Sequence, residues 1–229
     1  MSKLEIGDNL PFKTYSRRLD YSLNEVKHVL DFGPIANRRK RRAQYHIEQT
    51  GILDNIIPSG RYLDVGCGKG YVGGEIKSEV PDVEIFGVDL DDRPTNRMRK
   101  IVSGTFSTAD ACKLPFPGNS FDGTMVFFVM HHMPTETQEF LLKEAVRVTK
   151  KGGLIFIAED TVSQDDSSQL EITTRADRRL NPDFCLEKPH NFRSKDGWGV
   201  IFEDLGLTNE RIVDYQSGKV PHTFFVLSN

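Results

Sequence analysis

The chain predicts an α/β fold, a three-layer sandwich in which a mostly parallel sheet carries helices on both faces and ends in an antiparallel hairpin. Three observations predict it. Apolar runs rich in β-branched and aromatic residues recur near 61–65, 84–89, 105–109, 122–129 and 153–158, with helical patterns between them. Two further runs, near 208–215 and 223–227, stand only about seven residues apart, too close for a crossover helix, so they pair as a hairpin. The stretch Leu63-Asp64-Val65-Gly66-Cys67-Gly68-Lys69-Gly70 joins the first strand to the first core helix, where open α/β sheets bind ligands.

Taken in order, the elements have local causes. Tyr62-Leu63-Val65 reads as a buried strand, followed by a helix from Tyr71 to Val80 that Pro81 stops. A second core helix spans Arg93 to Val102, with Pro94 in its first turn, and a third spans Thr135 to Lys150, ended by Gly152-Gly153. A last helix covers 194–205. Before the core, helices are expected near 22–31 and 34–50, the second started by Pro34. A polar insertion occupies 160–193, and its centre, Ser167 to Leu180, reads as a helix started by Asp165 or Asp166. It leaves the carboxyl end of the fifth strand, the ligand side of such sheets. The expected organisation is one domain: an N-terminal helical cap (1–59), a cofactor-binding core (60–159), a lid insertion (160–193), and a C-terminal helix and hairpin (194–229).

Composition narrows the function classes. At 229 residues, 38% hydrophobic and 28% charged, the chain suits a globular protein with a sizeable core. No apolar run approaches the ~20 residues of a membrane span, and Met1-Ser2-Lys3-Leu4-Glu5 lacks a signal-peptide core. Cys67, Cys112 and Cys185 are widely spaced, which predicts a reducing, cytoplasmic setting and no metal site. Residues 1–60 hold ten Lys/Arg against seven Asp/Glu, and the remainder twenty against twenty-six. A domain of that balance has no nucleic-acid signature as a whole.

The glycine loop names a ligand class. Its glycines permit a sharp turn and a close backbone approach, and the helix behind it points free N–H groups at the loop. Asp89 closes an apolar strand nineteen residues past Gly70, the spacing of an acid that grips ribose hydroxyls. Gly68-Lys69-Gly70-Tyr71-Val72-Gly73 also spells the dinucleotide pattern. That register would set the Asp64 carboxylate near a pyrophosphate, whereas an ammonium or sulfonium would welcome it. The register Gly66, Gly68, Gly70 therefore favours S-adenosylmethionine over NAD and leaves Gly73 to helix packing.

With these residues in view, the chain resembles the class I S-adenosylmethionine-dependent methyltransferases of the small "type 11" kind. Asp64 to Gly70, Cys67 included, match the family's first motif, and Asp89-Leu90 match its ribose-binding acid and the apolar residue under the adenine. Asp110-Ala111, followed by Leu114-Pro115-Phe116, match the adenine-edge motif. Phe121-Asp122 opens a fourth strand that ends in Met130-His131-His132, also as in the family. The resemblance covers roughly residues 60–160. It implies a Rossmann-like, seven-stranded sheet and transfer of a methyl group to a small molecule.

Other residues keep two readings. Phe127 is either core or a wall of the cofactor site. His131 is the candidate catalytic base for an acceptor that must lose a proton, against a structural or cofactor-side role; His190 and Glu159 are weaker candidates. The run Arg38-Arg39-Lys40-Arg41-Arg42 wraps more than one helical turn, so it is either a solvated helix with inward members or an anion-recognition surface. The rival functions are methylation of RNA or protein guided by that run, NAD-dependent oxidoreduction, and a non-catalytic cofactor-binding subunit. The oligomeric state and the acceptor lie outside what these residues specify.

Overall fold

A computed structural model describes residues 35–91, 105–163, 165–180 and 190–229. The helices expected near 22–31 and 93–102 and the end of the insertion lie outside the described residues. Five α-helices are described: α1 (Ile35–Thr50), α2 (Tyr71–Glu79), α3 (Thr135–Val148), α4 (Ser167–Leu180) and α5 (Lys195–Asp204). Seven strands accompany them: β1 (Arg61–Val65), β2 (Glu84–Asp89), β3 (Thr105–Thr108), β4 (Phe121–Phe127), β5 (Thr149–Asp160), β6 (Thr208–Ser217) and β7 (Val220–Ser228).

The strands form one sheet in the order β3-β2-β1-β4-β5-β7-β6. Pairings from β3 through β5 are parallel, and β7 runs antiparallel to both β5 and β6. Strand order reverses between β1 and β4, which opens a crevice at their carboxyl ends.

Strand alternation divides the core between the two faces. Leu63, Val65, Val126, Ile155 and Ile157 pack with the apolar stripes of α3 and α5, including Leu141, Ala145, Val148, Trp198 and Phe202. Tyr62, Ile85, Met125, Phe156 and Ala158 face the other way and pack with Ile47 of α1 and Ile76 of α2. In α1 the buried residues Ala43, His46, Ile47 and Thr50 recur at helical spacing. Gly73 lets α2 lie close on the sheet, since a Cβ there would stand 2.8 Å from an Ile85 methyl.

Two expected boundaries are corrected. The third core helix ends at Val148, before Gly152-Gly153, because Thr149 already pairs with Phe121 across the sheet. Its hydroxyl joins the Ala145 carbonyl at 2.7 Å and Thr124 at 2.7 Å. Gly153 then lies inside β5, where a Cβ would stand 2.6 Å from the Asp122 carbonyl. The hairpin turn is shorter than seven residues: Ser217 pairs with Val220, leaving Gly218-Lys219 with Gly218 at φ 65°.

Of the basic run, the side chains of residues 40–42 are described, and these divide between outward and inward positions. Lys40 and Arg41 are exposed. Arg42 turns inward, its Nε 3.1 Å from His46 Nε2 and its guanidinium over the Phe128 ring.

Candidate active site

The first strand delivers the chain into a loop of left-handed glycines. Gly66, Gly68 and Gly70 have φ of 68°, 51° and 68°, values that L side chains seldom adopt. They do different jobs. A Cβ on Gly66 would stand 2.4 Å from Val129, so that position is glycine because the turn after β4 presses against it. A Cβ on Gly68 would meet nothing within 4 Å. That position is packed against nothing described, so its freedom serves the turn and leaves room for a ligand.

Two acids frame this loop. Asp89 accepts the Gly68 N–H at 2.7 Å with one oxygen and the Asp91 N–H at 2.9 Å with the other. Each carboxylate oxygen has two acceptor sites, so capacity for hydroxyls remains while the side chain is fixed against the loop. Asp64 is buried, and its Oδ2 has no hydrogen-bond partner. Burial pushes its pKa from 3.8 up to about 7; the Gly73 amide partly offsets this and the Asp89 charge reinforces it. A buried carboxylate without a cation beside it is costly. An ammonium at that oxygen would supply the missing charge, so the residues present fit the methionyl end of S-adenosylmethionine.

The remaining expected binders are placed unevenly. Leu90 is 75% exposed at the mouth of the loop, an apolar surface without a packing partner in the core. Asp110 is exposed, and its Oδ1 accepts the Cys112 N–H at 2.8 Å, which fixes the turn after β3; Ala111 beside it is half-buried. Cys67 acts through its backbone, donating to the Val88 carbonyl and accepting from the Gly70 N–H. Its thiol packs on Phe106, and burial pushes its pKa up. Phe127 is in the core, its ring 6.0 Å from that of Phe224. Phe128 adopts φ 58°, an outlier for an aromatic residue, and this breaks the alternation so that both rings pack on the α1 face.

His131 enters a polar cluster that local sequence did not assemble. Glu159 and Asp160 end β5 and point to opposite faces. Glu159 Oε1 accepts the Val129 and Met130 N–H groups at 3.0 and 2.7 Å, and its Oε2 lies 2.6 Å from His131 Nδ1. Asp160 Oδ1 meets His222 Nδ1 at 2.6 Å on the other face. Burial alone would lower the His131 pKa, but Glu159, joined by Asp177, outweighs it and holds the group up at about 10. His132 moves the other way, to about 4, through burial and the neighbouring His131 charge. His190, the other weak candidate, sits 2.8 Å from Asp177 Oδ2.

His131 is only 1% exposed and faces Glu159 and Asp177 rather than open space. Sequence reasoning missed Asp177, His222 and the Tyr215 hydroxyl that bonds His46 at 3.0 Å. One available signal was the pair Glu159-Asp160 closing the run Ile155-Phe156-Ile157-Ala158, since acids that continue a buried strand need partners.

Loop, strand order and framing acids together form the candidate cofactor site. A family model described as a methyltransferase domain matches residues 63–153. Over these residues the chain is similar to a methyltransferase domain. It is 29% identical over 205 residues to a 2-methyl-6-phytyl-1,4-hydroquinone methyltransferase of Synechocystis sp., covering 85% of this chain and 62% of that protein. A demethylmenaquinone methyltransferase of Thermotoga maritima is 29% identical over 135 residues, covering 58% of this chain and 55% of the relative. The chain thus spans about three-fifths or less of these relatives' lengths. In fold it is similar to the PH0226 protein of Pyrococcus horikoshii OT3, with a TM-score of 0.63 at 19% identity, covering 81% of this chain and 90% of that one. Among the described residues no helix is long and apolar enough to cross a membrane.

Proposed function

We propose that this chain transfers a methyl group from S-adenosylmethionine to a small molecule. The observation that carries the reading is Asp64, a buried carboxylate with an unpartnered oxygen beneath an open glycine loop whose far side is gripped by Asp89. In this reading Asp64 holds the methionyl ammonium, Asp89 accepts the ribose hydroxyls, and Asp110 and Leu90 take the adenine edge and face. Bound there, the cofactor supplies a methyl group already activated by a sulfonium, so alignment can provide much of the rate.

The chain's own residues would then position an acceptor. Phe128, Tyr215, His46 and His222 form a connected aromatic group at the carboxyl ends of β4 and β5 and the adjoining hairpin, with ring centroids 4.5–5.7 Å apart. Phe128, half-buried at the edge of this otherwise buried group, offers an aromatic face that suits a flat, largely apolar acceptor better than a polyanion. The relatives named for hydroquinone and demethylmenaquinone substrates support the same class. Asp64 argues against NAD, because a buried carboxylate would oppose a pyrophosphate.

The test is release of S-adenosylhomocysteine from S-adenosylmethionine with a panel of prenylated and simple hydroquinones, with short RNA as the contrasting acceptor. Acceptor-dependent release with a hydroquinone is expected. Release with RNA alone, or nicotinamide turnover without cofactor cleavage, would overturn the reading.

A further inference from the structure

At the carboxyl ends of β4 and β5, side chains from the turn after β4 and from α4 converge on one point. His131 Nε2 is buried, has no hydrogen-bond partner, and lies 3.8 Å from Asp177 Oδ1. His132 Nε2 lies 3.8 Å from Asp177 Oδ2. The three donor atoms lie within 4.8 Å of one another. We propose that His131, His132 and Asp177 bind one divalent first-row transition-metal ion of the zinc type.

The surroundings favour a metal over a chance cluster. Two imidazoles and a carboxylate are a donor set for zinc-like or ferrous ions rather than for magnesium or calcium. Two of the three inner donors also have an outer partner, the arrangement that orients metal ligands. Glu159 takes the Nδ1 side of His131 at 2.6 Å, which turns Nε2 toward the site. His190 Nε2, 2.8 Å from Asp177 Oδ2, holds that carboxylate in place.

Tetrahedral donors at bond lengths of ~2.0–2.2 Å stand roughly 3.3–3.6 Å apart, so the three donors, which lie within 4.8 Å of one another, would draw in by up to about 1.5 Å on binding. His132, with 24% of its side chain exposed, is the least confined of the three donors and marks the side on which a fourth position opens. Cysteine spacing could not reveal such a site, because no thiolate takes part. The inference does not depend on the acceptor proposed above.

The experiment uses the full chain, stripped with chelator and then titrated with Co2+ and Zn2+. One equivalent of Co2+ should develop the visible ligand-field bands of a low-symmetry site, and Zn2+ but not Mg2+ should bleach them. His132→Ala and Asp177→Asn should each weaken Co2+ at least as much as the ~10–100-fold typical of losing an outer-shell partner. Glu159→Gln should weaken it too, because the amide would donate to Nδ1 and move the imidazole proton to Nε2. Retained S-adenosylmethionine binding and circular dichroism would show that these variants fold, and His132→Ala, at the partly exposed position, is the mildest of them. Absence of the Co2+ bands in the wild-type chain, or equal uptake by folded His132→Ala and Asp177→Asn proteins, would overturn the proposal and leave a proton as the cluster's cation.

Discussion

The glycine loop after β1 and the histidine–carboxylate cluster beyond β4 and β5 lie at the same end of the sheet and are built in opposite ways. In the loop, conformation carries the chemistry: three left-handed glycines, two framing acids and open space where a Gly68 Cβ would stand. In the cluster, side chains carry it: His131, Glu159, Asp177 and His190 come from separate segments and bury one another. The loop should therefore govern ligand binding with little effect on stability. The cluster should govern stability first.

The largest effect expected from that contrast is at Glu159. Glu159→Ala strips the buried His131 ring of its charged partner and leaves the Val129 and Met130 amides without an acceptor, at a cost of about 3–5 kcal/mol. Urea unfolding measures it, and a loss below about 1 kcal/mol would place the cluster's role elsewhere.

Asp89→Ala comes next. Losing charged hydrogen bonds to ribose should cost about 3 kcal/mol, or ~100-fold in S-adenosylmethionine affinity. Unfolding should change little beside Glu159→Ala, because among the described residues Asp89 is held by two loop amides.

Glycine substitutions sharpen the contrast within the loop. Gly66→Ala adds a clash with Val129 to the left-handed penalty of about 1–2 kcal/mol, so stability and binding should fall together. Gly68→Ala pays that penalty alone in the free chain, yet it fills space the ligand needs. If Gly68→Ala binds S-adenosylmethionine as the wild type does, the ligand does not approach this position.

The smallest predicted signal is a proton. The folded-state pKa of Asp64, about 7, lies above its ordinary 3.8. The folded chain therefore holds this proton more tightly than the unfolded chain does. Stability from this group is full below about pH 4 and declines as pH rises toward 7. An ammonium placed beside Asp64 reverses the shift, so cofactor binding near pH 6 should release up to about one proton. Calorimetry in buffers of different ionisation enthalpy reads that number, and zero release would remove Asp64 from the contact.

The two regions were also unequally legible in the sequence. Alternating strands and helices, the closing hairpin and the register Gly66, Gly68, Gly70 could be read locally, because each depends on neighbours in the chain. Asp64 and Asp89 stood out as acids ending apolar strands. The cluster was opaque because Asp177 reaches His131 across 46 positions and Asp160 meets His222 only after β5 pairs with β7. The left-handed Phe128 was equally hidden, since nothing in Phe127-Phe128-Val129 signals a break in alternation. The helix end at Val148 was set by sheet pairing of Thr149, which overrode the glycines downstream.

The central claim is that the glycine loop with Asp64 and Asp89 binds S-adenosylmethionine. Isothermal titration of the wild-type chain with S-adenosylmethionine, repeated with Asp89→Ala, tests it most directly. The account predicts one site in the wild type and affinity reduced about 100-fold in the variant. No binding by the wild type, or equal binding by the two proteins, would contradict it.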